Sequence, residues 1–441
     1  MAGSLKPSSG PEIVEIAALD HEGRGIARIG GKAVFVDGAL PGERVSLERI
    51  ARRRRHDQAR LLEILCPAPN RVAARCAHFG ICGGCSLQHL AFAEQLRVKE
   101  QTVAGQLERL GGLRPLRWLP PLSGPAWAYR RRARLGCRYV AAKGRVLVGF
   151  RERSSPLLAD LRGCEVLAGG MGDLIEPLAA MIGTLSIRHR IPQAEVAIGD
   201  RARALVLRVL EEPSGVDLLA LAAFQRAHGV EIYLQRGGLA TVAPILPDAT
   251  ALEYALPGLP AGIRFQPTDF IQVNGEMNRR LVALALELLE PRPGDRALDL
   301  YCGLGNFTLP LAQRVAAVTG VEGDAGLVAR ARENALRNGI GNADFIAADL
   351  AAESVAPAWA AGSRDLVLLD PPRAGALAVL AAIAACRPRR VVYVSCHAGT
   401  LARDAGILAT QHGFRLVAAG IMDMFPHTAH VESIALFEPA A

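Results

Sequence analysis

At 441 residues the chain exceeds the ~100–200 residues of one ordinary domain, so roughly two to four domains are expected. Half of the residues are hydrophobic and 21% are charged, which excludes a wholly disordered chain, and no uncharged apolar run reaches the ~18–20 residues of a membrane span. The net charge is +8, yet Arg71 to Glu165 alone holds 17 Lys/Arg against 6 Asp/Glu; a basic stretch in an otherwise slightly acidic chain suits a polyanionic partner.

The polar opening stretch, Met1–Gly10, lacks the apolar core of a secretory signal. Nine cysteines, an odd number, argue against a disulfide framework and for a reducing compartment, so a cytoplasmic location is expected. Strands follow at Ile13–Ala18, Gly25–Ile29, Ala33–Val36 and Arg44–Ile50, separated by Gly- and Pro-containing turns, which predicts a small all-β barrel. Arg52–Arg55 then forms a cationic loop able to lie along a phosphate backbone. Apolar residues at helical spacing predict a helix over Ala91–Leu110.

From Ala126 to Ala243 the pattern is mostly strands (Arg134–Val140, Arg145–Phe150, Ala194–Ile198, Ala204–Leu210 and Val230–Leu234), interrupted by a helix at Gly172–Ile182. The cationic run Arg130–Arg132 in this part is expected to contact the polyanionic partner. A helix at Met277–Leu289 opens a different rhythm, in which strands Arg296–Tyr301, Ala316–Val321, Ala343–Ala347, Leu366–Leu369 and Val391–Ser395 alternate with helices. That alternation predicts a parallel sheet covered on both faces.

Ligands of such a sheet bind outside the carboxyl ends of its strands, and here those ends are chemically distinctive. The first strand runs into Asp299-Leu-Tyr-Cys-Gly-Leu-Gly-Asn306, a glycine turn, and the next ends in Glu322, placed to accept ribose hydroxyls. Asp349 and Asp370 end the third and fourth. The third glycine of a dinucleotide fingerprint and the Lys-Ser/Thr of a P-loop are both missing, which favours S-adenosylmethionine over NAD or ATP. Cys396 ends the fifth strand at a helix start, where amide dipoles are expected to lower its pKa.

Phe414–Met424 and Val431–Phe437 read as sixth and seventh strands. If the seventh runs antiparallel beside the fifth, Glu432 meets Cys396 as a general base. A thiolate, a base and a methyl donor suit methylation at C5 of a pyrimidine, with the target nucleotide flipped out of its stack.

These motifs, together with Phe265–Asn274, Asp370–Arg373, Ser395–Asp404 and Phe425–Glu432, resemble the S-adenosylmethionine-dependent RNA uracil-5 methyltransferases over nearly the whole chain. The resemblance implies a Rossmann-like class I methyltransferase domain (265–441), an N-terminal TRAM β-barrel, OB-like and RNA-binding (11–68), and a mixed α+β central domain carrying an iron–sulfur site (69–264). It implies Cys396 as nucleophile and Glu432 as base, with cofactor positions at Gln272, Tyr301, Asn306, Glu322, Asp349 and Asp370. Cys76-x5-Cys82-x2-Cys85 by spacing alone suits zinc or an iron–sulfur cluster. The resemblance adds Cys164 and favours a 4Fe–4S cluster. Its implied partner is 23S ribosomal RNA, acted on by a monomer; a transfer RNA uridine, a non-catalytic assembly factor and an iron–sulfur redox protein are the competing readings. In that family the nucleophile is commonly followed by Asn-Pro, whereas this chain has His397-Ala398.

Overall fold

A computed structural model describes residues 10–352 and 358–440; the start of the polar opening stretch, residues 1–9, lies outside the described residues. The chain divides into two compact units, one of residues 1–102, 151–159 and 425–430 and the other of the remaining segments.

The first unit opens with β1 (Glu12–Glu15), β2 (Ala18–Leu19), β3 (Gly25–Ile29), β4 (Lys32–Val36), β5 (Arg44–Arg52) and β6 (His56–Cys66). They form one six-stranded sheet in the order β1-β5-β6-β4-β3-β2. Alternation along these strands turns Ala27, Val34, Val36, Val45, Leu47 and Ala59 into one core. The stretch after the arginine loop, which carries no strand in the sequence reading, is the eleven-residue β6; Asp57 and Ala59 near its start are buried, and most of its later positions are exposed. Arg52–Arg55 is exposed at the β5–β6 turn. Helix α1 (Phe92–Gly111) follows, its residues up to Thr102 belonging to this unit.

In the second unit come β7 (Arg117–Trp118), β8 (Arg132–Val140), β9 (Arg145–Gly149), α2 (Ile175–Thr184), β10 (Gln193–Ile198), β11 (Arg203–Arg208), α3 (Gly215–His228), β12 (Glu231–Gln235) and β13 (Val242–Pro244). Strands β8 to β13 make a six-stranded sheet in the order β13-β12-β11-β10-β8-β9. The sequence reading lacks α3, although Ser214 and Asp217 form a capping box at its start, a signature visible in the sequence. It also lacks the hairpin of β14 (Leu252–Leu256) and β15 (Leu259–Phe265).

The last part of this unit is the expected parallel sheet. Its elements are α4 (Gly275–Leu289), β16 (Arg296–Leu300), α5 (Thr308–Ala312), β17 (Ala317–Glu322), α6 (Ala325–Arg337), β18 (Ala343–Ala347), β19 (Leu366–Leu369), α7 (Leu380–Ala385), β20 (Arg390–Ser395), α8 (Ala398–His412), β21 (Phe414–Met422) and β22 (Glu432–Pro439). The sheet order is β18-β17-β16-β19-β20-β22-β21-β7. Strands β16 to β20 pair in parallel, and β22 is antiparallel to both neighbours. Every residue of β19 is buried, as expected of a strand covered on both faces. The chain reverses its direction of winding between β16 and β19, and a ligand crevice opens at such a switch point. Among the described residues no helix is long and apolar enough to cross a membrane.

Candidate active site

The crevice is built by the turn after β16. Gly303 and Gly305 adopt φ of +54° and +89°, and Tyr301 is held at φ +63°, a left-handed conformation rare for a bulky side chain. The turn is tied to the next strand, because the Gly303 N–H donates to Glu322 Oε2 at 3.1 Å. The other Glu322 oxygen accepts the Asp324 N–H at 3.1 Å, so the backbone on both sides fixes this carboxylate. Asp349 is exposed beyond β18 and accepts the Ala351 N–H at 2.9 Å.

Asp299 and Asp370 end the neighbouring strands β16 and β19. Asp299 is fully buried; its Oδ2 accepts from Thr308 Oγ1 at 2.5 Å, while Oδ1 has no protein partner. Burial, and then the Asp370 and Glu322 carboxylates, push Asp299 up to about 7. Asp370 is pushed up to about 7 by burial, opposed by the Gln272 Nε2–H that donates to its Oδ2 at 3.1 Å. A buried acceptor lacking a protein donor, beside a glycine turn and a row of acids, fits a ligand that brings amino and hydroxyl groups.

Cys396 and Glu432 meet as the antiparallel hypothesis required. Ser395 pairs with Ser433 across β20 and β22, so one step further the register sets Cys396 opposite Glu432. The Ser433 hydroxyl donates to the Ser395 carbonyl at 3.2 Å and closes this end of the ladder. Glu432 is only 5% exposed; burial and the Asp370 carboxylate push it up to about 8, with Arg373 opposing. The thiol does not follow the sequence expectation. Burial, then Glu432 and Asp370, push Cys396 up to about 11, and the opposing effect of Arg373 does not reverse this. Burial, with two carboxylates nearby, outweighs the helix start.

His397 answers the Asn-Pro departure. It is the N-cap of α8, its Nδ1 accepting the Thr400 N–H at 3.2 Å, as an asparagine oxygen would. The Ser395 hydroxyl donates to the His397 carbonyl at 3.2 Å and accepts its N–H at 3.1 Å. Further along α8 the buried Asp404 accepts from the Ala376 N–H and the Tyr393 hydroxyl, both at 2.8 Å. It thereby secures the loop after Asp370, a role that sequence reading missed because its partners lie 11 and 28 residues away.

Other expectations turn out differently. Arg131 pairs with Asp200 at 2.5 Å, and Arg132 pairs with Glu195 at 3.5 Å and also donates to the Pro267 carbonyl. Their side chains are 17% and 16% exposed, so Arg131 and Arg132 are largely engaged within the chain. Asn306 is at the turn, but its amide is engaged by Asn278 and Tyr254. Cys76, Cys82 and Cys85 lie in the first unit and Cys164 in the second. Among the described residues no group of three or more His, Cys, Asp or Glu side chains is placed to hold a metal ion. Of the remaining cysteines, Cys137, Cys302 and Cys386 are buried and Cys66 is exposed.

A parallel sheet with one antiparallel strand, β22, inserted between β20 and β21, a glycine turn after the first strand and acids at the following strand ends define a Rossmann-like methyltransferase domain. The family described as tRNA (Uracil-5-)-methyltransferase matches residues 259–439, and the TRAM domain matches residues 13–48. The 23S rRNA (uracil(1939)-C(5))-methyltransferase RlmD of Alkalilimnicola ehrlichii is 52% identical, covering 98% of this chain and 97% of the relative. The protein of the same name from Methylococcus capsulatus is 50% identical, covering 99% of both chains. The chain therefore belongs to the family of 23S rRNA uracil-C5 methyltransferases. In fold it is similar to the crystal structure of Pyrococcus abyssi tRNA (uracil-54, C5)-methyltransferase in complex with S-adenosyl-L-homocysteine. The TM-score is 0.75 at 23% identity, covering 97% of this chain and 100% of that one.

Proposed function

We propose that this protein methylates C5 of a uridine in 23S ribosomal RNA, at the position its relatives are named for, uracil 1939. The observation that carries the reading is the β20–β22 register, which sets Glu432 opposite Cys396 at the edge of the strand-end crevice. Gln272, Tyr301, Glu322, Asp349 and Asp370 would hold S-adenosylmethionine. Once bound, this cofactor supplies an electrophilic methyl group on a cationic sulfur.

The chain's own residues do the rest. The Cys396 thiolate adds to C6 of the uracil and moves electron density to C5, which is otherwise too weak a nucleophile. C5 would then accept the methyl group that bound S-adenosylmethionine supplies. Glu432 removes the C5 proton, the C5–C6 double bond re-forms, and the C6–Sγ bond breaks to release Cys396. Mapping 5-methyluridine in ribosomal RNA from cells with and without the gene tests the assignment. Loss at that one position is expected, and loss at another uridine instead would move the target.

An iron–sulfur cluster on Cys76, Cys82, Cys85 and Cys164 is a separate reading, and no step above passes through it. Its support is the family resemblance, the cysteine spacing and the Gly84 N–H, which donates to Cys82 Sγ at 3.4 Å. Against it stands the absence, among the described residues, of a converging ligand group. Stoichiometric iron and acid-labile sulfide in anaerobically purified protein is the expected result; protein free of both would remove the reading.

A further inference from the structure

Asn306 ends the cofactor turn, and its side chain is already committed. Its Nδ2 donates to Asn278 Oδ1 at 2.9 Å while Asn278 Nδ2 donates back to Asn306 Oδ1 at 2.8 Å. The Tyr254 hydroxyl donates to the same Oδ1 at 3.1 Å. Both lone pairs of that oxygen and one of the two amide protons are thereby used. The partners come from elsewhere in the fold: Asn278 from α4, 3% exposed, and Tyr254 from β14, 7% exposed and packed near the Phe265 ring.

A turn with two left-handed glycines is conformationally loose unless something restrains it. The reciprocal amide pair and the phenol supply that restraint from two sides, at the residue where the turn ends. A preordered turn loses less entropy on ligand binding than a loose one, so the benefit falls on affinity. We infer that Asn278 and Tyr254 are positioning residues for the cofactor turn. They act through Asn306, which serves by fixing the backbone rather than as a side-chain ligand. This inference rests on reading the strand-end crevice as the cofactor site.

The test uses the full chain with Asn278→Ala, Tyr254→Phe, Asn306→Ala and the Asn278→Ala/Asn306→Ala pair, measuring S-adenosylmethionine binding by calorimetry and steady-state rates. Losing the amide pair should weaken cofactor binding about tenfold, and losing the phenol alone about threefold, on the scale of buried neutral hydrogen bonds. The KM for cofactor should rise in step, with kcat at saturating cofactor held within about twofold. The double variant should bind no more weakly than Asn306→Ala alone, because both substitutions break one lock. Additive losses, or a fall in kcat with cofactor KM unchanged, would overturn the inference. Should Asn278→Ala fail to fold, Tyr254→Phe keeps the ring and its packing and carries the test. Glu322→Gln serves as the reference for the site itself. If it binds cofactor like the wild type, the crevice reading fails; if it weakens binding while Asn278→Ala does not, only the inference fails.

Discussion

Cys396→Ala is expected to abolish methyl transfer, lowering the rate by at least about 10³-fold, while RNA binding stays within about twofold. The loss should be this large because alanine offers no bond to C6, and without that bond C5 gains no electron density. The substitution removes one atom from a half-buried position, so a folding defect is not the expected cause. Transfer of labelled methyl from S-adenosylmethionine to unmodified ribosomal RNA, together with a filter-binding titration, separates the two effects. Methylation at the wild-type rate would end the covalent mechanism.

Glu432→Gln should halt the reaction one step later. Addition and methyl transfer precede removal of the C5 proton, so the variant is expected to accumulate RNA covalently joined to protein. This would appear as a species stable on a denaturing gel, with turnover reduced about 10²–10⁴-fold. No adduct and unimpaired turnover would exclude Glu432 as the base. The same variant reports on the electrostatics of the site. After burial, the Glu432 carboxylate is the next cause holding the Cys396 thiol up at about 11, so a neutral amide should let the thiol titrate at lower pH. The rate of Cys396 alkylation against pH shows the shift.

Stability follows with a definite sign. Glu432 titrates near 8 in the folded chain against 4.5 for the ordinary group, so the folded state keeps a proton that the unfolded state releases. Wild-type stability therefore falls as pH rises through that interval. The Gln variant, without cofactor, should melt higher than the wild type above about pH 8 and show no such advantage below about pH 4.5. A group that opposes folding but sits opposite the proposed nucleophile is what a functional carboxylate is expected to be.

The parallel sheet was the most legible part of the chain. Ala343–Ala347 and Leu366–Leu369 appear with the bounds read from the sequence; the second is an unbroken apolar run closed by Asp365 and Asp370, which leaves little latitude for a strand. The strand-end acids were legible for the same reason: once the strands are placed, so are the residues that follow them. Helix α3 went unread despite its capping box, its apolar residues being spread around the helix rather than gathered on one face.

The antiparallel course of β22 stood in the sequence only as a condition. Its partner β20 is more than 30 residues earlier in the chain, and local pattern carries no register. Chain chemistry alone thus placed a thiol, a carboxylate and a glycine turn at the ends of strands. Tertiary pairing then set Glu432 opposite Cys396, buried both groups so that each holds its proton more tightly, and turned Arg131 and Arg132 inward onto Asp200 and Glu195. It also closed the amide of Asn306 on Asn278 and Tyr254. Composition and spacing show which groups a chain owns. The charge and hydrogen-bonding capacity each group keeps depend on neighbours brought from distant segments.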